Sequence, residues 1–347
     1  MAYTTINKST AHFNTKLYSG TGSTNAITGV GFAPDMTWIK VRTTNYDHQV
    51  VDQVRGYASS VILPNQTNVE YTGAVRVDSR DSDGFTVSTP AQVNASSNNF
   101  VSWNWKANGA GSANTDGSIN STVSVNTTSG FSIVKYVATG SNATVGHGLG
   151  VAPAMIIFKN LDSARSWAVG HNGLTNWSYH NYLDATNGEN SDNTMFQGTA
   201  PTNTVFSVGT AAETNESGDN FIAYCFAEKT GYSKFGSYTG NNSASDGTFV
   251  YTGFRPSFVM VKRTQSTGNS WRMFDNKRDG FNGDNANLHA NLNIAEDAGS
   301  DGFIDLFSNG FRPRTTSTDQ NASGGTYIYM AFGQSIVGSN NVPCTAR

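Results

Sequence analysis

The chain has 347 residues, 37% of them hydrophobic and 12% aromatic, with a formal net charge of −3. It is too rich in rings for a disordered Ser/Thr/Asn polymer, and it lacks the basic footprint of a nucleic-acid binder. Charged residues make up only 14% of the chain, against roughly 25% in ordinary soluble domains, so Asn, Ser, Thr and Gly must carry the polar surface.

Residues 1–15 read as a short polar arm, without the basic start and apolar core of a secretory signal. No later stretch is apolar over a bilayer-spanning length, so membrane insertion is not expected. The first module is assigned to residues 16–107. In it Gly31-Phe32-Ala33-Pro34 leads into Met36-Thr37-Trp38-Ile39-Lys40, apolar on both faces and suited to a central strand. Asp52-x-x-Arg55 follows, spaced for one tight turn. Asp81-Ser82-Asp83-Gly84 is a turn signal, and its two carboxylates offer too few oxygens for calcium, so no metal site is predicted. Asn94-Ala95-Ser96 precedes a strand in which Trp103 and Trp105 fall on a period of two, as core residues do.

Residues 108–129 are rich in Gly, Ser, Asn and Thr and read as a linker, although Thr122-Val123-Ser124-Val125 alternates like an added strand. A second module is assigned to 130–228, a short join to 229–233, a third module to 234–335 and a tail to 336–347. Both later modules repeat the first. Gly150-Val151-Ala152-Pro153 leads to Lys159 and Gly253-Phe254-Arg255-Pro256 to Lys262, each Lys six residues after its Pro. Asn215-Glu216-Ser217 and Asn321-Ala322-Ser323 stand six residues before the ring that opens the last strand, Phe221 or Tyr327. As glycosylation acceptors these triplets have no expected use; Asn side chains that bond nearby backbone in a turn account for the repeat better. Units of about 100 residues can each bury a core, unlike the short units of solenoids. The expected fold is all-β: three tandem antiparallel β-sandwich modules, jelly-roll or concanavalin-like.

Seven residues stand out as candidates for contact with a ligand or partner. His48, Trp167 and Trp271 fall at equivalent places, eight or nine residues after the module Lys, and the two indoles sit among polar loop residues where a ring could stack on a sugar. Asp52 with Arg55, and Asp275 with Arg278, could present a fork of donors to a sugar or a neighbouring subunit, or form an internal salt bridge that holds a loop. The middle copy has His171-x-x-Leu174 in their place. No partnered nucleophile, G-x-S-x-G or zinc-type Cys/His spacing occurs, so no catalytic residue and no cofactor are expected. Cys225 lies mid-strand and Cys344 three residues from the end, and a disulfide between them is not expected.

The start MAYTTINKSTAHFNTKLYSGTGS, the run GVGFAPDMTWIKVR, the strand NNFVSWNWKA and the later segments NFIAYCFAEKTGYSKFGSYTGN and FVYTGFRPSFVMVKRT resemble a domain-of-unknown-function family of structural proteins of marine tailed phages. The resemblance runs over nearly the whole chain. It implies a virion protein made in the host cytoplasm without a signal: a fibre, whisker or capsid-decoration component that self-associates, with a trimer expected, and touches other virion proteins. A lectin-like protein that recognises host-surface glycans is the alternative. The family supplies no catalytic residues.

Overall fold

The strand that follows each Gly-x-x-Pro lies near the middle of a large antiparallel sheet. In the computed structural model, which describes residues 4–337 apart from 74, 279–281, 283, 284 and 298–301, the chain is all-β, and no helix among the described residues exceeds four residues. In the first repeat the order is Phe13–Ser19, Asn99–Trp105, Met36–Val41, Gln49–Asp52. The third repeat has the same order: Ser233–Thr239, Thr326–Gln334, Arg255–Arg263, Arg272–Asp275, then Leu288–His289. The second repeat follows it through Phe131–Val137, Asn220–Phe226, Met155–Asn160 and Ala168–His171. In each repeat the strand carrying the module Lys is here called the lysine strand, and the aromatic strand paired with it the closing strand.

The Gly/Ser/Asn/Thr-rich stretch between the first two repeats is built into the second. Ser112–Asn114 and Ser121–Asn126 form a hairpin whose inner strand pairs with Phe131–Val137, Val123 opposite Val134, so the sheet grows to eight strands. Composition misled here because neutral small residues suit a flexible tether and a solvated edge hairpin equally well.

Each large sheet has two buried faces, which explains why the lysine strands are apolar throughout. The residues at alternate positions face a private core closed by a small sheet. In the first repeat Ile39, Val41 and Phe100 meet Ile27, Val77, Phe85 and Val87; the second gathers Ile156, Phe158, Phe206 and Val208, and the third Val259, Val261, Leu306 and Phe311. The intervening positions all join one common core. Met36, Trp38, Trp103 and Trp105 of the first repeat pack there with Met155, Ile157, Tyr224 and Phe226 of the second and Phe258, Met260, Met330 and Phe332 of the third. Trp103 and Trp105 are 0% and 2% exposed. This core is tight: a void of about 10 Å³ lies among Met36, Trp38, Trp105, Ile157, Trp167 and Met330, about what one water needs.

The three Asn-x-Ser triplets tie loops together. Asn94 donates to the Ser23 and Ser88 carbonyls and accepts from the Thr21 N–H. Asn215 does the same with Ser141, Gly209 and Thr139, and Asn321 with Ser243, Thr315 and Asn241. All three are 0% exposed, so the amides are consumed by backbone and closed to a glycosyl transfer.

The N-terminal arm joins the first repeat to the third. Ile6 is buried in the common core, the Ser9 N–H donates to Gln334 Oε1 at 2.5 Å, and Phe13 stacks on Phe332 at 5.0 Å. Thr4, Gly231 and Ser335 converge so closely that a Cβ on Gly231 would lie 2.9 Å from the Thr4 Cβ and 3.0 Å from that of Ser335.

Candidate functional site: the contacts between repeats

The loop after each module Lys turns its aromatic residue across to a neighbouring repeat. Trp167 donates its indole N–H to the Leu63 carbonyl at 3.1 Å and the Gln66 carbonyl at 3.0 Å, both in the first repeat. Trp271 donates to the Tyr182 carbonyl of the second at 2.8 Å. His48 reaches the His289 carbonyl of the third at 2.9 Å. Leu63, Tyr182 and His289 are themselves equivalent, so one contact is made three times around a cycle: second to first, third to second, first to third. His48 is locked in one tautomer. Trp38 Nε1, a donor only, points at His48 Nδ1 at 2.8 Å, so Nδ1 accepts and Nε2 carries the proton given to the carbonyl.

These rings are held in place by polar side chains from a more distant segment of their own repeat, not by the residues that flank them. The backbone N–H of His48 is accepted by Asn65 Oδ1, that of Trp167 by Asp184 Oδ1 and that of Trp271 by Asn291 Oδ1. Trp167 and Trp271 are each 1% exposed and His48 is 0% exposed. Neither indole offers a face to a sugar.

Two of the three module lysines strengthen the same seams. Lys40 Nζ donates to the Asn293 carbonyl of the third repeat and to that of Val41. Lys159 Nζ donates to the Thr67 carbonyl of the first and to that of Arg165. Lys262 Nζ stays within its own repeat, on the Asn269 carbonyl. All are fully buried, and burial depresses each from its ordinary value to about 8. Backbone follows the same cycle: Glu70 N–H donates to the Leu161 carbonyl, Glu189 N–H to Thr264 and Glu296 N–H to Arg42.

The Asp-x-x-Arg pairs form a second node at these seams. Asp52 Oδ2 accepts from Arg55 Nε at 2.5 Å and from the Tyr224 hydroxyl of the second repeat at 2.7 Å, while Oδ1 accepts the N–H groups of Val54 and Arg55. Arg55 also donates to Glu70 and the Val50 carbonyl. Asp275 repeats the pattern with Arg278 at 2.7 Å and with the Trp103 indole of the first repeat at 3.1 Å. Arg278 also reaches Glu296 and lies 5.7 Å over the Trp103 ring. Burial opposes ionisation of Asp275, but the Arg278 guanidinium and its hydrogen bonds outweigh it and hold the carboxyl below its ordinary value. Arg55 and Arg278 are held charged by the carboxylates around them, against the pull of burial.

The middle repeat's departure from this pattern follows from what lies opposite it. Trp103 and Tyr224 occupy equivalent positions on their closing strands, and the third closing strand has Met330 there, which is no N–H or O–H donor. A carboxylate facing Met330 would lack the donor that completes its shell. His171 stands there instead. It gives its Nε2 proton to the Tyr329 carbonyl at 3.1 Å and accepts the Gly173 N–H at Nδ1. Burial lowers its pKa to about 4, so it is a neutral donor.

The seven candidates from the sequence thus fall at two recurring nodes of the seams between repeats. Sequence reasoning missed the buried lysines, the three glutamates and the closing-strand donors Tyr224 and Trp103. The constant Pro-to-Lys spacing was a signal for the lysines, since a surface Lys needs no fixed register. One position breaks the pattern: Asn181 pairs with Val169 as Ile62 does with Val50 and Leu288 with Met273. It is 0% exposed, and neither its Oδ1 nor its Nδ2 has a partner among the described residues.

No group of three or more His, Cys, Asp or Glu side chains able to hold a metal occurs among the described residues. Cys225 is a free, buried thiol, and Cys344 lies outside the described residues. Residues 8–335 match a family model described as a domain of unknown function, DUF7483. The chain belongs to this family. The match runs through all three repeats as one unit, so the DUF7483 domain corresponds to the whole cycle and not to a single repeat. No curated protein and no solved structure matches the chain.

Proposed function

We infer that the chain is a non-enzymatic structural protein of a virus particle, a fibre, whisker or capsid-decoration component that works as a rigid display scaffold. The observation that carries this reading is the fate of the chemically capable residues. His48, Trp167, Trp271, both Asp-Arg pairs, Lys40 and Lys159 are spent on closing three repeats upon one another, which leaves the outer loops as what the molecule presents. The resemblance of MAYTTINKSTAHFNTKLYSGTGS and NNFVSWNWKA to phage structural proteins supplies the setting. Self-association and contact with other virion proteins belong to the same reading.

The test is mass spectrometry of gradient-purified phage particles together with immunogold labelling by an antibody to this chain. A chain found in the particle at a fixed stoichiometry supports the reading; one found only in the infected-cell lysate refutes it. A clearing zone on host surface polysaccharide under the purified protein would overturn its non-enzymatic part.

A further inference from the structure

The three seams are alike in geometry but not in titratable groups. His48 bridges the first and third repeats, and His171 the second and third. The first–second seam holds Trp167 on Leu63, Lys159 on Thr67 and Tyr224 on Asp52; the histidine there, His12, meets Asn126 Nδ2 at 3.2 Å through Nδ1 but is only half-buried, so solvent can share a second ring proton. In His48 and His171 one ring nitrogen donates to a carbonyl across the seam. The other accepts an N–H from its own repeat: Trp38 Nε1 for His48 and the Gly173 backbone for His171. A second ring proton would set donor against donor at that nitrogen inside a buried seam.

We propose that the third repeat is an acid-released unit: protonation of His48 and His171 undoes both of its seams while the first and second repeats stay joined. The surroundings give the new charge little compensation. His48 faces the Lys40 ammonium of its own repeat and His289 of the third, both of which oppose its protonation. His289 in turn lies against Arg272, with Asp297 acting the other way. Lys40 feels Asp47 and Glu296, the carboxylates near this cluster. Phe235 and the Tyr329 backbone pack against His171, and among the described residues no charged side chain acts on it. The sign follows from linkage: an opened state with ordinary histidines binds protons that the closed state refuses, so opening gains as pH falls below about 6.5. With the closed-state value of His171 at about 4, that residue alone raises the opening equilibrium roughly 30-fold between pH 8 and pH 5.

The experiment is hydrogen exchange of the full chain, read by mass spectrometry and corrected for intrinsic rates, from pH 7.5 to 4.5. Peptides over residues 233–239 and 326–334 are expected to lose protection at a higher pH than those over 36–52 and 155–160. Loss of protection in all three repeats together, or first in the first and second, overturns the proposal. The variant His48→Gln/His171→Gln keeps a neutral donor at both seams and should move the release to lower pH; an unchanged midpoint overturns it. Should that variant not fold, ring 15N shifts of the unsubstituted protein decide. Both rings must protonate in step with the loss of protection, and protonation with protection intact overturns the proposal.

Discussion

Replacing Asn181 with Leu should make the protein more stable, and the internal repeats supply the control. Asn181 sits where the other repeats carry Ile62 and Leu288, all three 0% exposed, and both polar atoms of its amide lack partners among the described residues. A buried amide without hydrogen bonds costs about 1–3 kcal/mol. Leu has the same γ-branched shape, with methyl groups for the oxygen and nitrogen, so the amide's cost is removed with little repacking. The expected gain is about 1–3 kcal/mol, reduced by any strain from the slightly larger methyls. Equilibrium urea unfolding followed by tryptophan fluorescence should show a higher midpoint at unchanged slope. The mirror changes, Ile62→Asn and Leu288→Asn, should each cost about 3 kcal/mol or more, since they add an orphaned amide and remove apolar volume. A destabilised Asn181→Leu alongside destabilised mirror variants would refute the reasoning, because it would mean that the amide is bonded and the three positions are not equivalent in environment.

Trp271→Phe keeps an apolar ring but strands the Tyr182 carbonyl, and should lower stability by about 1–3 kcal/mol, with Trp271→Ala at about 3–5; urea midpoints read both. Wild-type stability in Trp271→Ala would sink the anchoring role. Asp275→Asn leaves the fully buried Arg278 with one carboxylate fewer, and a loss of about 3–5 kcal/mol is expected in the same assay, well above that for an exposed pair such as Arg165–Glu216. Stability should also rise from pH 7.5 to 9. Lys40, Lys159 and Lys262 sit near 8 when folded and at their ordinary value when unfolded, so the unfolded chain holds more protons in that window, and each lysine adds roughly 1 kcal/mol across it. Ionisation of the Cys225 thiol in the unfolded chain offsets only part of this. A flat or falling profile would show that the ammonium groups are better solvated than their burial implies.

Much of the framework could be read from residue order. The alternation of Trp103 and Trp105, the two-faced lysine strands and the Asn-x-Ser ties each follow from local pattern, because each is fixed by neighbours within one repeat. The use of the seam residues could not be read in the same way. Trp167 and the Leu63 carbonyl are 104 residues apart, and an indole preceded by Arg165 and Ser166 looks the same whether it stacks on a sugar or anchors a neighbouring repeat. The replacement of the Asp-x-x-Arg pair by His171-x-x-Leu174 in the middle repeat follows from Met330 on the facing closing strand. Its cause lies 159 positions away in sequence and one closing strand away in space.

Each repeat presents two unlike surfaces, one bearing the ring or imidazole and one bearing the carbonyl that receives it. Such head-to-tail contacts polymerise unless rotation brings the last unit back to the first. Here the arm carrying Ile6 and Ser9 locks the third repeat to the first, and both surfaces of every repeat are occupied. A single repeat cut from the chain would expose one of each kind and should seek copies of itself. Cutting at 229–233 and joining Ser335 to Thr4, already neighbours across Gly231, should give a permuted chain with the same three seams.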